Sequence, residues 1–331
     1  MASGLVLLAF HTEHRGHFDN AVGVTKRFHT GSEVSFASTV GDHNQAGKLT
    51  IGINVGAVFI LHFIILMDGG NASGLVIEVT GEGTGEVPLD EGHLVYRAFR
   101  AGMEANGYDV PGLRLVCHNR VPESRGLGSS AAAAVGGVAL ADALCDRPFE
   151  LKRMVQISSE FEGHPDNSSA AVLGGMVVSW ADQPGFANSS YHAIRLDVHP
   201  DIRATVLVPY SRSSTEETRA VLPSMVPHQD AVFNVSRAAM MMLAMTKRPD
   251  LLFDASDDRL HQRQRAAALP ITTRWIRSLR DRELAAMVSG AGPTALCLHV
   301  DDFPADLQRE AEEDGLRVLH LDICEGVQRV Y

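Results

Sequence analysis

The chain lacks paired cysteines. Its four, Cys117, Cys145, Cys297 and Cys324, are scattered, with no Cys-x-x-Cys among them. That argues against a zinc ribbon or a disulfide frame. Three of them sit in apolar runs and are expected to pack as small hydrophobes in a reducing cytoplasm. Excess positive charge is lacking too. With 29 Lys and Arg against 40 Asp and Glu, the net charge is −11. A protein that grips a nucleic-acid backbone wants a basic face, so wholesale nucleic-acid binding is disfavoured, whereas a small anion needs only a local positive site. No apolar run is long enough to suggest a membrane span. The most apolar stretch, Ile51 to Met67, falls short of the roughly 20 residues required. It also contains Asn54 and His62, and it reads as buried core. The first ten residues have no basic start of the kind a secretory signal needs. Internal repeats and low-complexity tails are absent from the sequence as well.

What is present is an ordinary globular composition, 45% hydrophobic and 21% charged over 331 residues. That length suggests two domains. The alternation Leu75-Val76-Ile77-Glu78-Val79 predicts a strand, and residues 93–106 carry helical spacing through Leu94, Ala98 and Met103. A strand is expected over 112–119, helices over 129–146 and 150–161, and a strand over 175–180. The polar stretch 181–191, with Gly and Pro, is the best linker candidate. Strands follow at 193–199 and 203–209. A Ser/Thr-x-x-Glu helix start lies at 213–218, and a long helix rich in Met and Ala spans 228–246. Its methionines, Met240, Met241, Met242 and Met245, are expected as core filler. Further strands are expected at 286–289, 295–300 and 317–323. Helices and strands mix without a strict βαβα rhythm, which fits an α+β protein.

One segment carries more chemistry than any other: Pro122-Glu123-Ser124-Arg125-Gly126-Leu127-Gly128-Ser129-Ser130-Ala131. A strand-like run precedes it and a small-residue helix follows. Helix N-termini present unpaired N–H groups and the positive end of the helix dipole. Glycines let a phosphate approach the backbone, and the serines add donors or a metal ligand. The pattern is neither Gly-x-Gly-x-x-Gly nor the common P-loop, because no lysine follows the glycines. A loop of this composition also serves plain helix–sheet packing.

Four other segments bear weight. Glu160-Phe161-Glu162-Gly163-His164-Pro165-Asp166-Asn167 gathers carboxylates, an imidazole and an amide. It reads either as a solvated helix end or as a magnesium carboxylate with substrate-orienting groups. Arg219 stands one turn inside the helix expected from Ser213, and in a cleft its planar fork would suit a carboxylate. Asp258-Arg259-Leu260-His261-Gln262-Arg263-Gln264-Arg265 is a cation-rich run on an expected helix, by default a surface face. Ser289-Gly290-Ala291-Gly292-Pro293-Thr294 forms a tight turn between two apolar strands.

In this order the motifs Pro-x-x-x-Gly-Leu-Gly-Ser-Ser-Ala-Ala, Glu-Gly-His-Pro-Asp-Asn, Ser-Thr-x-Glu-x-Arg-x-x-Leu-Pro, Asp-x-Leu-His-Gln-x-x-Arg and Ser-Gly-Ala-Gly-Pro-Thr resemble the GHMP kinases. This is the superfamily of galactokinase, homoserine kinase, mevalonate kinase and phosphomevalonate kinase. The middle three motifs point to the homoserine kinase branch. The resemblance covers about residues 74–331. It implies a two-domain GHMP kinase fold. Residues 1–182 would form an ATP-binding, ribosomal-protein-S5-domain-2-like domain, and residues 183–331 a ferredoxin-like α/β sandwich. The implied activity is ATP-dependent phosphorylation of the L-homoserine hydroxyl, in threonine biosynthesis, by a cytoplasmic homodimer using Mg2+.

The resemblance also implies residue roles. Pro122, Arg125, Gly126, Leu127, Gly128, Ser129, Ser130 and Ala131 would bind the nucleotide. Ser130 and Glu162 would hold magnesium. His164, Asn167, Arg219 and Arg265 would bind the substrate, with Asn167 near the reacting hydroxyl and the two arginines on the α-carboxylate. Asn167, Glu162 and Arg265 would be catalytic. An amide at Asn167 cannot take up the hydroxyl proton, and Asp166 is expected to point away. Direct in-line attack is therefore expected, the proton leaving through phosphate oxygen or water.

The first 73 residues depart from the family pattern Pro-Ala-Thr-Ser-Ala-Asn-Leu-Gly-Pro-Gly-Phe-Asp-Ser-Leu-Gly. In the nearest stretch, Phe10 to Asn20, only Thr12, Gly16, Phe18 and Asp19 echo it. Asp19 is the candidate for the substrate ammonium. Residues 40–72 look like an insertion or replacement. Two other readings therefore stay open: a GHMP kinase for a different small molecule, and a non-catalytic nucleotide- or metabolite-binding relative.

Overall fold

The computed structural model describes residues 6–8, 10–11, 48–57, 59–68, 74–110, 112–145, 148–183, 189–211, 218 and 220–330. Asp19, the other echoes at 12–18, the helix start at 213–217 and Arg219 lie outside these residues. No helix among the described residues is long and apolar enough to cross a membrane.

The layer that positions the site begins with β5 (Leu75–Gly81), α1 (Leu94–Ala105) and β6 (Leu113–Asn119). β5 and β6 are parallel, as a helical crossover requires. α1 buries Val95, Ala98, Phe99, Gly102 and Met103, a spacing of three and four that lines one helix face. This face meets α2 (Ser129–Leu144), whose run Ala131 to Asp142 is buried except Ala133. A helix apolar on all sides belongs in the interior, and small residues let its neighbours approach. A Cβ on Gly137 would lie 2.3 Å from Val95 O, and one on Gly102 2.6 Å from Ala141 Cβ. α3 (Leu151–Glu162) and α4 (Asp166–Leu173) flank α2.

β3 (Lys48–Ala57) and β4 (Phe59–Asp68) form a hairpin, and β4 continues onto β6. The apolar run 51–67 is thus two paired strands within a five-stranded sheet, ordered β13-β3-β4-β6-β5, where β13 is Gln328–Val330. The segment expected as an insertion or replacement supplies sheet interior.

β7 (Met176–Ala181) pairs with β8 (Tyr191–Leu196) and with β1 (Val6–Leu8). The strands on the two sides of the expected linker 181–191 thus pair directly with each other in one sheet. The remaining sheet is β10-β11-β9-β12-β2, built from Ala285–Val288, Ala295–His299, Arg203–Pro209, Leu316–Ile323 and Phe10–His11 in that order. Helices α5 (His228–Thr246), α6 (Leu252–Ala255), α7 (Gln262–Arg265), α8 (Pro270–Arg280) and α9 (Ala305–Glu313) complete this half. Trp275, Ile276, Leu279 and Leu307 form a core under that sheet. Strand pairing crosses the expected 182/183 division three times: β2 joins β12, β8 joins β7, and β13 returns to β3.

Met245 is fully buried, and Met240, Met241 and Met242 pack on the core, as expected. Cys117, Cys145 and Cys297 are buried as small hydrophobes. Burial pushes the thiols of Cys117 and Cys297 up to about 12, which keeps them protonated and inert.

The cation-rich run 258–265 differs from expectation. Only Gln262–Arg265 is helical. Asp258 takes the main-chain N–H groups of Leu260, His261 and Gln262, and this holds the preceding residues in a turn.

Candidate active site

β6 ends where Asn119 Oδ1 accepts from Val121 N at 2.8 Å, turning the chain toward Pro122. Gly126 and Gly128 both adopt positive φ, 72° and 74°, and Gly128 is the residue before α2. The first helical hydrogen bond is Ala132 N to Gly128 O at 2.9 Å. The N–H groups of Ser129, Ser130 and Ala131 precede it and point out of a long helix's positive end, the arrangement an anion needs.

Ser130 is exposed, and its Oγ donates to Glu162 Oε1 at 2.5 Å. Glu162 is the last residue of α3, whose end Gly163 closes with φ of 72°. α4 starts three residues later. A Cβ on Gly128 would lie 3.5 Å from Asn167 Oδ1, so the Asn167 amide stands against the glycine that opens α2. Three expected residues, Ser130, Glu162 and Asn167, converge at one helix end from three helices.

Asp166 accepts from Asn167 N at 2.7 Å and contacts His164 Nδ1 at 2.5 Å. Its carboxylate is engaged within its own turn, and it fixes the ring of His164 in place. The expectation that Asp166 turns aside from the reacting position is consistent with this.

The second glycine loop, Ser289 to Thr294, packs directly on the first. Ser289 Oγ donates to Gly126 O at 2.8 Å. A Cβ on Gly126 would lie 2.3 Å from Ser289 O and 2.8 Å from Gly292 O. The Gly292–Pro293 bond is cis. Arg265, 8% exposed, donates from Nη1 to Gly290 O and from Nε to Thr218 O, both at 3.1 Å. It joins this loop to the residue that precedes Arg219. The default reading of that run as a surface face therefore fails for Arg265.

Arg125 differs from its expected place among the nucleotide contacts. Its Nε donates to Pro209 O at 3.0 Å, Nη2 to Tyr210 O at 2.8 Å and Nη1 to Glu123 O at 2.9 Å. The guanidinium braces the loop against the end of β9. Leu127 is buried in the core and offers the site only its backbone. Pro122 is buried as well. Sequence reasoning missed two further pairs that anchor the segment carrying Arg265. Gln262 Oε1 accepts from Val288 N at 3.0 Å, and Asn234 Nδ2 donates to Asp258 Oδ1 at 2.6 Å. The only sequence signal for them was the spacing Asp-x-Leu-His-Gln-x-x-Arg.

The chain is similar to known proteins over most of its length. The family model described as the GHMP kinases N terminal domain matches residues 93–175, from the start of α1 to the residue before β7. A homoserine kinase from Rhodococcus erythropolis is 57% identical over 263 residues, covering 77% of this chain and 84% of the relative. One from Corynebacterium glutamicum is 54% identical over 258 residues, covering 77% and 84%. In fold, the chain is similar to the crystal structure of a homoserine kinase from Cytophaga hutchinsonii. The TM-score is 0.72 at 18% identity, over 88% of this chain and 100% of that one. A mevalonate kinase structure aligns with a TM-score of 0.60 at 10% identity, over 83% and 98%. With relatives 54–57% identical over 77% of its length, this chain belongs to the homoserine kinases of the GHMP kinase superfamily.

Proposed function

We propose that this chain transfers the γ-phosphoryl group of ATP to the hydroxyl of L-homoserine, giving O-phospho-L-homoserine and ADP. The observation that carries the reading is the junction at the start of α2. There the Ser130 hydroxyl meets the Glu162 carboxylate at 2.5 Å beside the outward N–H groups of Ser129 to Ala131.

The N–H groups and the two serines cradle the phosphates. The donor set also fits magnesium, which takes one or two hard protein oxygens and leaves its other positions to phosphate and water. Ser130 and Glu162 would hold it, and bound there it would neutralise charge on the transferring group. Asn167 orients the acceptor hydroxyl, and His164, its ring fixed by Asp166, borders the same pocket. Arg265 and Arg219 hold the α-carboxylate, and Asp19 the ammonium. Phosphoryl transfer has a loose transition state and depends on alignment more than on a strong base. The hydroxyl oxygen attacks in line, the bond to the β-phosphate oxygen breaks, and the proton passes to a phosphate oxygen or water. The same resemblance supports a homodimer in the cytoplasm.

A coupled ADP-release assay with L-homoserine and a panel of other alcohols tests the reading. Turnover with L-homoserine, lowered in kcat by Asn167→Ala and raised mainly in KM by Arg219→Ala, is the expected result. No ADP release with any alcohol, or release with another alcohol alone, overturns it.

A further inference from the structure

The motif Asp-x-Leu-His-Gln-x-x-Arg contains more than its arginine. α5 dedicates one face to it. Asp230, Phe233, Asn234 and Arg237 recur at intervals of three and four, which puts them on one side of the helix. Three of them meet residues of the motif. Arg259 lies 3.8 Å over the Phe233 ring and 3.6 Å from Asp230 Oδ1. Asn234 Nδ2 donates to Asp258 Oδ1 at 2.6 Å, while Asn234 Oδ1 accepts from Arg259 N at 2.9 Å. Asp258 in turn takes the N–H groups of Leu260, His261 and Gln262 at 2.7–2.9 Å. These bonds fix where α7 starts.

α7 is a single turn, too short to hold itself. Two of its outward links run to the second glycine loop. Gln262 Oε1 accepts from Val288 N, one residue before the second glycine loop, and Arg265 donates to Gly290 O within that loop. Ser289 then bonds the phosphate loop at Gly126 O. The route from α5 to the phosphate loop is continuous and made of directional bonds.

We propose that Asn234 and Asp258 are positioning residues for the acceptor side of the site. Their hydrogen bond, with the bond from Arg259 N to Asn234 Oδ1, sets the location of Arg265 and, through Gln262, the register of the second glycine loop. This deepens the homoserine kinase reading and rests on it, because Arg265 matters here as the carboxylate clamp. Arg265 sits in the one-turn helix that the pair anchors, whereas the phosphate loop is reached only through Val288 and Ser289, so the loss falls mainly on the acceptor.

The test uses the full chain and three variants: Asn234→Ala, Asp258→Asn, and the exchange Asn234→Asp with Asp258→Asn. The exchange keeps a donor and an acceptor between the two positions. The expected result is an L-homoserine KM raised about tenfold in each single variant, with ATP KM within about twofold of the parent. The exchange should recover a good part of the loss, a coupling that two independent sites would not give. Equal rises in both KM values tracking a lowered melting temperature would mean a merely structural role and overturn the proposal. Unchanged kinetics, or an exchange no better than the sum of the single variants, overturns it too. A parent chain that does not turn over L-homoserine removes the functional reading and the proposal together. A working parent with the wrong variant pattern removes the proposal alone.

Discussion

Two glycine-rich loops meet at the centre of this protein and do different work. Gly126 to Ser130 leads into a 16-residue helix and turns its N–H groups outward. Ser289 to Thr294 joins two antiparallel strands, β10 and β11, and turns carbonyls toward the first loop. Both use positive φ at two glycines, Gly126 and Gly128 in the first, Gly290 and Gly292 in the second. Composition is shared, but only one of the two stands at a helix end, where unpaired donors and the dipole reinforce each other. A glycine-rich loop thus gains an anion's donor set only by its position on a helix. The second loop is the surface against which the first is set.

The largest expected effect comes from forcing the two loops apart. Gly126→Ala meets both a positive φ and Ser289 O at 2.3 Å, and neither backbone can yield cheaply. We expect turnover to fall by about 100-fold or more. Gly128→Ala carries the same φ penalty with its nearest contact at 3.5 Å, so it serves as the control for strain without collision. It should lose roughly 1–2 kcal/mol of stability and less activity than Gly126→Ala, read by thermal melts and ADP release. If the two variants are equally impaired, contact between the loops is not what matters.

Removing the brace comes next. Arg125→Ala deletes three bonds to carbonyls, two of them at the end of β9. A loss of about 1–3 kcal/mol is expected, with a raised ATP KM. Lysine should not restore it, because its single ammonium cannot reach three carbonyls as a planar fork does. Full rescue by Arg125→Lys would instead favour a simple charge effect on the phosphates.

Acid should then separate the two loops. Burial opposes ionisation of Asp258, but hydrogen bonds from His261, Asn234 and the main chain of Leu260 and Gln262 outweigh it and hold the carboxyl well below the usual carboxylate range. Its ionised form therefore stabilises the fold fully above the unfolded carboxylate pKa of about 3.9. That contribution is lost as pH falls from there toward the folded value. Melting temperature against pH should flatten on the acid side in Asp258→Asn, and a slope identical to the parent's would contradict the assignment. The smallest effect is expected from Ser289→Ala. It removes one hydrogen bond of 2.8 Å between the loops, worth about 1 kcal/mol, and should lower the melting temperature slightly with little change in kcat.

How much of this was legible in the sequence follows from range. The helix at 129–144, its glycine start, the two strands flanking α1 and the methionines of α5 all rest on local periodicity and turn chemistry, and they could be read directly. Ser130, Glu162 and Asn167 could be named as candidates by motif. The bracing contacts of Arg125 are not legible in the sequence, because Pro209 and Tyr210 are far away along the chain and are main-chain carbonyls that leave no side-chain signature. The stretch 181–191 reads as a linker because a polar hairpin turn and a linker share their residue types. Pairing of β7 with β8 alone separates them.

By itself the sequence determined the glycine-opened helix start at 126–130, the α+β class and the family, because these depend on neighbouring residues and on motifs kept in order. Only the tertiary structure decided which side chains face one another. It set the first glycine loop on the second, tied Arg125 to the carbonyls after β9, buried Arg265 in a run that reads as surface and returned β13 to β3. Each of these is a long-range hydrogen bond or close contact. Such a bond is fixed by where the whole core brings two backbones together, and neither partner's local sequence encodes that.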